Sequence, residues 1–257
     1  MRVLAATLTF SGLLAFEASG QTPDAVRLAH TAFEAGQFGQ AAHLGEAQST
    51  ADGLALAARS VLAEAVCGEA IPAGDVLGRA QALAEAALEA EPGHVEARMQ
   101  LAISLSLQTR AMGRTQAWRS GHGERARALV QSVLDDDPAN AYAHGFMAVW
   151  HVEVVRRGGR MGAAMMDASL ADGFGHYEAA ARLAPRDAAL HWQMARALTA
   201  LNPRRHRERI DTALAAVAAA DQETAVDQVM AARALRLSAA FGEEDAAGLK
   251  RLANALH

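Results

Sequence analysis

A recurring proline places the strongest constraint on the fold of this protein. The segments EAEPGHVEARMQLAISL, DDDPANAYAHGFMAVWH and RLAPRDAALHWQMARAL contain Pro92, Pro138 and Pro185, which are 46 and 47 residues apart. Each proline follows one helical pattern of apolar residues and precedes another. Because proline cannot continue a helix, each one marks a turn between two helices. The spacing therefore predicts a helical unit that repeats along the sequence.

Small residues hold fixed positions around these prolines. Ala80, Ala126 and Gly173 each lie twelve residues before one of them. Two helices that approach closely need small side chains along their shared seam. Asn140 and Asp187, two residues after their prolines, are predicted N-caps of the next helices. The pairs nine and ten residues after each proline are Leu101 and Ala102, Met147 and Ala148, and Met194 and Ala195.

The composition agrees with a protein made of helices alone. Hydrophobic residues make up 51% of the 257 residues, but aromatic residues only 5%. No segment alternates apolar and polar residues as a half-buried strand does. Weaker copies of the unit extend outward to Gly36 and Met230, and an amphipathic stretch from Glu243 to Leu256 is predicted to close the stack with a polar outer face. The prediction is an all-α protein of about six helix hairpins.

The unit LAHTAFEAGQFGQAAHLGEA shows the pattern most completely. It has Leu28 on its first helix, Gly36 and Phe38 at its turn, and Ala41 on its second helix. Together with the exit prolines, this pattern resembles the tetratricopeptide repeat (TPR) family over about residues 23–240. The resemblance implies a right-handed α-solenoid of about six antiparallel helix hairpins. It also implies a noncatalytic scaffold that binds a protein or peptide partner in a groove.

In the TPR family the first helix of each hairpin lines the concave face. The resemblance carries this role over to Arg98, His144, His151, His191 and Gln193, which become candidate groove residues. Arg98, His144 and His191 stand where the family usually has an aromatic residue. His144 and His151 are seven residues apart on one helical face and could begin a metal site. Because the sequence has no HExxH pattern and no clustered cysteines, partly buried structural histidines are favoured.

The central units are about a dozen residues longer than the usual 34 of the family. The extra residues fall inside each hairpin, in stretches that start at Thr109 and Arg156, and the next turn starts at Asn202. Equivalent loops of a solenoid align along one edge, so their arginines are predicted to form a basic ridge that binds an acidic peptide, the C-terminus of a polypeptide or anionic lipid head groups. Alternatively, they offset helix dipoles and keep long loops hydrated. The ridge residues are Arg110, Arg114, Arg119, Arg156, Arg157, Arg160, Arg204, Arg205 and Arg207.

The first twenty residues have the layout of a secretory signal peptide. One arginine precedes an apolar run over residues 3–16, and a small-residue step ends at Gly20. This predicts a signal peptide at 1–20, a TPR-like domain at 21–257 and a location in the periplasm. A buried N-terminal helix is the alternative. The run is shorter than the roughly 20 residues that cross a bilayer, so no integral membrane span is predicted in the mature protein. Cys67 is the only cysteine, and its apolar surroundings predict an inert thiol.

Several function classes lack support in the sequence. The net charge of −5 argues against nucleic-acid binding. The segment GGRMGA lacks the ending of a phosphate loop, and no GxSxG or cysteine-centred signature is present. No catalytic residue, metal or cofactor is predicted. The prediction is a noncatalytic periplasmic scaffold or adaptor, and the alternative is a small-molecule carrier or an accessory component of a periplasmic solute transport system. An open groove would favour the scaffold, and an enclosed apolar pocket the carrier.

Overall fold

The computed structural model describes residues 23–68 and 72–256, and within them every regular element is a helix. The predicted signal peptide lies outside the described residues. None of the described helices is long and apolar enough to cross a membrane. The helices are α1 (Pro23–Glu34), α2 (Phe38–Gln48), α3 (Ala51–Cys67), α4 (Gly74–Ala90), α5 (Val95–Ala111), α6 (Arg114–Ser120), α7 (His122–Asp136), α8 (Ala141–Met165), α9 (Leu170–Leu183), α10 (Ala188–Leu201), α11 (Arg207–Ala219), α12 (Ala225–Glu243) and α13 (Ala246–Ala255).

Twelve of these helices form six consecutive hairpins, as the sequence predicts. The pairs are α1 with α2, α3 with α4, α5 with α7, α8 with α9, α10 with α11, and α12 with α13. Successive hairpins stack on one another, so that α3 also packs against α5 and α8 against α10. The fold of the described residues is therefore an α-solenoid.

The proline turns work as the repeat pattern predicts. Helices α4, α7 and α9 each end two residues before their prolines. The Asn140 side chain accepts a hydrogen bond from the Ala143 N–H at 3.0 Å, and the Asp187 side chain accepts one from the Leu190 N–H at 2.8 Å. Each bond satisfies one of the free N–H groups at a helix start. These caps fix where α8 and α10 begin.

The extra residues of the central units form helix as well. In the third hairpin they fold into α6, a helix of 7 residues between α5 and α7. In the fourth hairpin they lengthen α8 to 25 residues, with a kink at Gly159, where φ is 61° and ψ is −161°. Glycine adopts this backbone conformation without the steric cost that other residues pay. Both insertions therefore lie inside their hairpins, as the sequence predicts.

The first and last hairpins touch, which the repeat pattern does not predict. Helix α12 packs against α1 and α3. A Cβ atom at Gly36 would lie 2.7 Å from the Ala225 Cβ, so the two hairpins come very close at this contact. Arg233 on α12 donates a hydrogen bond from Nη2 to the Gly68 carbonyl at 2.8 Å. The solenoid therefore closes into a ring, and α13 packs mainly against α10.

Candidate binding cavity

The ring surrounds one large cavity of ≈ 1340 Å³, which we call the central cavity. Its wall is built from α1, α3, α5, α8, α10 and α12, with α6 and the start of α7 on one side. These six helices are the first helices of the six hairpins, the ones that the TPR resemblance places on the concave face. Apart from α7, the second helices of the hairpins lie outside the wall.

Most of the wall is apolar. Phe33 on α1, Leu62 on α3, Phe146 and Val149 on α8 and Met230 on α12 all line it. On the side of α6 and the end of α8, Trp118, Met161 and Met165 line the cavity and are 46%, 76% and 61% exposed. Large apolar side chains exposed together mark a binding surface more often than single ones do. The cavity thus has an apolar interior and an apolar mouth.

Charged side chains also lie at this wall, and one group of five, which we call the arginine cluster, reaches it through Arg110, Glu153 and Arg157. It consists of Glu153 surrounded by Arg110, Arg156, Arg157 and Arg196. Glu153 Oε2 accepts hydrogen bonds from Arg156 Nε at 2.9 Å and Nη2 at 2.6 Å. Arg196 Nη2 lies 3.5 Å from Glu153 Oε1, and the Arg196 side chain is only 3% exposed. Four guanidinium groups around one carboxylate leave three positive charges without a negative partner.

Arg157 and Glu153 are both held in place by their neighbours. Arg157 Nη2 donates to the Met112 carbonyl at 2.9 Å, and Nη1 lies 3.3 Å from Thr109 Oγ1. Burial alone would raise the pKa of Glu153, but the charges of Arg196, Arg156 and Arg110 outweigh it and lower that pKa overall. Glu153 is therefore ionised at neutral pH and serves as the internal counter-ion of the cluster.

Arg110 differs from the other members because it has no partner. Its side chain makes no hydrogen bond or ion pair with any residue that the structure describes. The residue is partly buried, and it lines the central cavity. Burial and the charge of Arg196 lower its pKa to about 9, although Glu153 opposes this. The guanidinium thus keeps its charge at neutral pH and directs its donors into an apolar cavity.

Acidic residues of the wall do not neutralise this charge. Glu96 Oε1 lies 3.8 Å from Arg59 Nη1, and Asp221 pairs with Arg186. Asp187 caps α10, and Asp227 forms a capping box at the start of α12. The remaining acid, Glu124, is exposed. The unpaired charge inside the cavity is therefore positive.

The structure divides the nine arginines of the predicted ridge between several places. Arg110, Arg114 and Arg157 line the central cavity. Arg156 packs beside them on Glu153, while Arg119 and Arg160 are exposed. In the fifth hairpin, the Arg207 guanidinium lies 4.2 Å from the centre of the Phe241 ring, and Arg204 and Arg205 are exposed in the turn before α11. Arg110 stands in the last turn of α5, so its charge also offsets the dipole of that helix. Partner binding by the exposed arginines stays a prediction.

Of the five predicted groove residues, only Gln193 lines the central cavity. Three of the others occupy equivalent repeat positions: Arg98, His144 and His191. Each side chain contacts a backbone carbonyl of the turn that precedes its own helix. Arg98 Nη2 donates to the Gly93 carbonyl at 2.9 Å. The Nε2 atoms of His144 and His191 lie 3.0 and 3.1 Å from the carbonyl oxygen of the proline at the same turn. The predicted placement of these three residues on the concave face is wrong, because their side chains point to the turns instead.

His151 is also turned away from the central cavity, into a smaller outer pocket of ≈ 530 Å³. His144 and His176 line the same pocket, with their Nδ1 atoms 2.9 Å apart. The His151 Nδ1 accepts a hydrogen bond from the Ser169 N–H at 3.2 Å, so this buried ring has a structural role. Burial lowers the pKa of both His151 and His176. Within the described residues no three His, Cys, Asp or Glu side chains are placed to hold a metal ion.

The sequence reasoning missed the arginine cluster as a unit. It grouped Arg110, Arg156 and Arg157 by their loops and did not consider Arg196 or Glu153 as partners. A signal was present, because Arg196 interrupts the otherwise apolar run AALHWQMARALTAL of α10. A charged residue inside such a run needs a partner or a solvated cavity. Burial raises the pKa of the Cys67 thiol more than the Arg233 charge lowers it, and the inert role of this thiol stays a prediction.

Comparisons with known proteins agree with the fold. No protein-family model and no curated protein sequence matches this protein. Among solved structures, it is similar to a thermophilic TPR protein of Thermus thermophilus, with a TM-score of 0.55 and 18% sequence identity over 83% of this chain and 98% of that chain. At this level of identity the comparison establishes the fold, and the protein is a TPR-like α-solenoid.

Proposed function

We propose that this protein is a noncatalytic carrier that takes up an apolar small molecule in its central cavity. The observation that supports the proposal best is the closed ring around an apolar cavity of ≈ 1340 Å³. Sites for drug-sized molecules usually have about 300–1,000 Å³, so this cavity has room for a long or bulky ligand. A cavity ringed by helices, although open at its mouth, favours a carrier over a scaffold with a shallow groove.

A scaffold for a protein or peptide is the second candidate. The TPR-like fold suggests it, and the exposed Trp118, Met161 and Met165 at the mouth support it. Such a partner would cover the apolar mouth, and the exposed Arg119 and Arg160 nearby would favour an acidic segment. In this case the cavity interior would remain empty of any small molecule.

Export to the periplasm is part of the proposal and rests on the predicted signal peptide at residues 1–20. In that compartment, the carrier would serve as an accessory component of a solute transport system. A noncatalytic role agrees with the fold and with a cavity whose charged cluster holds a single carboxylate and no nucleophile. General acid and base catalysis usually needs a second titratable group beside the first.

The carrier role is tested with the neutral fluorophore N-phenyl-1-naphthylamine, which brightens in apolar surroundings. We expect saturable binding to the full mature protein. Val149→Asn places an amide in the apolar wall and should weaken the affinity by roughly tenfold, since one decade corresponds to about 1.4 kcal/mol of lost apolar contact. The matched control is Leu235→Asn on α12, because Leu235 is 69% exposed and lies outside the cavity wall.

The control variant should bind the fluorophore like the unchanged protein. Absence of saturable binding would contradict the carrier role and leave the scaffold as the better candidate. Equal affinity of the Val149→Asn and Leu235→Asn variants would show that the fluorophore binds elsewhere. Far-ultraviolet circular dichroism of each variant checks that the helices remain intact.

A further inference from the structure

The ligand class of the central cavity can be deduced from the arginine cluster, and this inference rests on the proposed carrier function. We infer that the ligand is an amphipathic carboxylate, whose carboxylate group binds the Arg110 guanidinium while its apolar body fills the cavity. The inference adds to the proposed function a charged anchor and a chemical class.

The first step is that Arg110 is the one member of the cluster whose guanidinium makes no hydrogen bond or ion pair with a described residue. Arg156 and Arg196 are engaged by Glu153, at 2.6 Å and 3.5 Å. Arg157 donates to the Met112 carbonyl at 2.9 Å. Arg110 has no partner among the described residues and faces the cavity. A partly buried charge at an apolar wall that is left unpaired costs stability, so its presence points to a ligand that completes it.

The second step concerns the shape and the charge of the bound group. A guanidinium presents parallel N–H donors that match the two oxygens of a carboxylate. One available guanidinium therefore fits one carboxylate better than a phosphate, which would need further donors around its other oxygens. The Glu153 carboxylate does not take the position of the ligand carboxylate at Arg110. Its Oε2 atom accepts hydrogen bonds from Arg156, and its Oε1 atom lies beside Arg196.

The third step concerns the remainder of the ligand. Beyond Arg110 the wall consists mainly of apolar side chains such as Leu62, Phe146, Val149 and Met230. A polar molecule would leave its groups without partners there, whereas a hydrocarbon tail or ring system is stabilised at roughly 25 cal/mol per Å² of buried apolar surface. A single charge at one end of an apolar body is thus the chemistry that the cavity can hold.

The test displaces bound N-phenyl-1-naphthylamine with three competitors of equal length: dodecanoate, 1-dodecanol and dodecyl phosphate. On the unchanged protein, we expect dodecanoate to compete about tenfold or more better than the other two, as a charge-assisted bidentate bond implies. Arg110→Met should remove this preference and bind dodecanoate and dodecanol alike. Arg160→Met is the matched control, since Arg160 is exposed and outside the wall, and it should keep the preference.

A second measurement separates a binding role from a structural one. If Arg110 serves only a ligand, Arg110→Met removes a partly buried charge that repels Arg196, Arg156 and Arg157 and should raise the melting temperature of the ligand-free protein. A structural role would lower it. Equal competition by dodecanoate and dodecanol on the unchanged protein, better competition by dodecyl phosphate, or a preference retained in Arg110→Met would each overturn the inference. Those results leave the carrier proposal intact, whereas failure of the fluorophore to bind contradicts the carrier proposal itself.

Discussion

Gly45 and Gly53 let α2 and α3 approach each other very closely, and this contact gives a sharp test of the packing. A Cβ atom placed on Gly45 would lie 2.5 Å from the Gly53 carbonyl oxygen and 3.1 Å from the Ala57 backbone nitrogen. Backbone atoms cannot rotate away as a side chain can. We therefore predict that Gly45→Ala destabilises the protein, although alanine is the better helix former.

The magnitude follows from the distances. Ordinary van der Waals contact begins at 3.4 Å, so α2 and α3 would have to separate by roughly 0.9 Å at this point. A gap of about 0.5–1 Å already removes a quarter to a half of the dispersion energy of each atom pair along the contact. Overpacking of this kind costs about 1–3 kcal/mol, which exceeds the gain of about 0.5–1 kcal/mol from replacing a helical glycine by alanine. The melting temperature should fall by roughly 2–8 °C.

The control is Gly78→Ala on α4, where a Cβ atom would meet nothing within 4 Å. This exposed helical position should gain about 0.5–1 kcal/mol from the same substitution. Both variants are compared by urea and thermal unfolding, followed by circular dichroism. The packing argument fails if Gly45→Ala is as stable as the unchanged protein or more stable.

Two further predictions concern pH and export. Burial lowers the pKa of His151, His176 and His206 below 6.5 in the folded state. The unfolded state therefore binds protons first as the pH falls through 6.5, and the folded protein loses stability from that pH downward. The melting temperature should therefore drop between pH 7 and 5, and His176→Asn should reduce the drop; an equal drop in both proteins would contradict this. Residues 1–20 fused to a reporter should direct it to the periplasm of a Gram-negative host, whereas reporter found only in the cytoplasm would exclude the signal peptide.

The parts of the fold that depend on local sequence were predictable. Pro92, Pro138 and Pro185 cannot continue the helices that they follow, and Asn140 and Asp187 cap helices through bonds to residues three positions away. The ring closure was not predictable, because Arg233 and Gly68 are 165 residues apart in the sequence. No repeat pattern encodes a contact between the first and the last unit.

The site was only partly predictable for a geometric reason. Neighbouring residues on a helix differ by about 100° in direction, so a shift of one or two positions separates His144, which points to its turn, from Phe146, which points into the cavity. The resemblance identified the correct helices but the wrong face of them. The special status of Arg110 depends on the absence of a partner among the described residues, and only three-dimensional contacts reveal it.

A crystal structure of the mature protein grown with dodecanoate tests the central claim most directly. The account predicts α12 in contact with α1 and α3, a closed ring, and the carboxylate of the ligand beside Arg110 with its hydrocarbon tail along the apolar wall. An open spiral with α1 and α12 apart, or a ligand bound only on the outer surface, would contradict it.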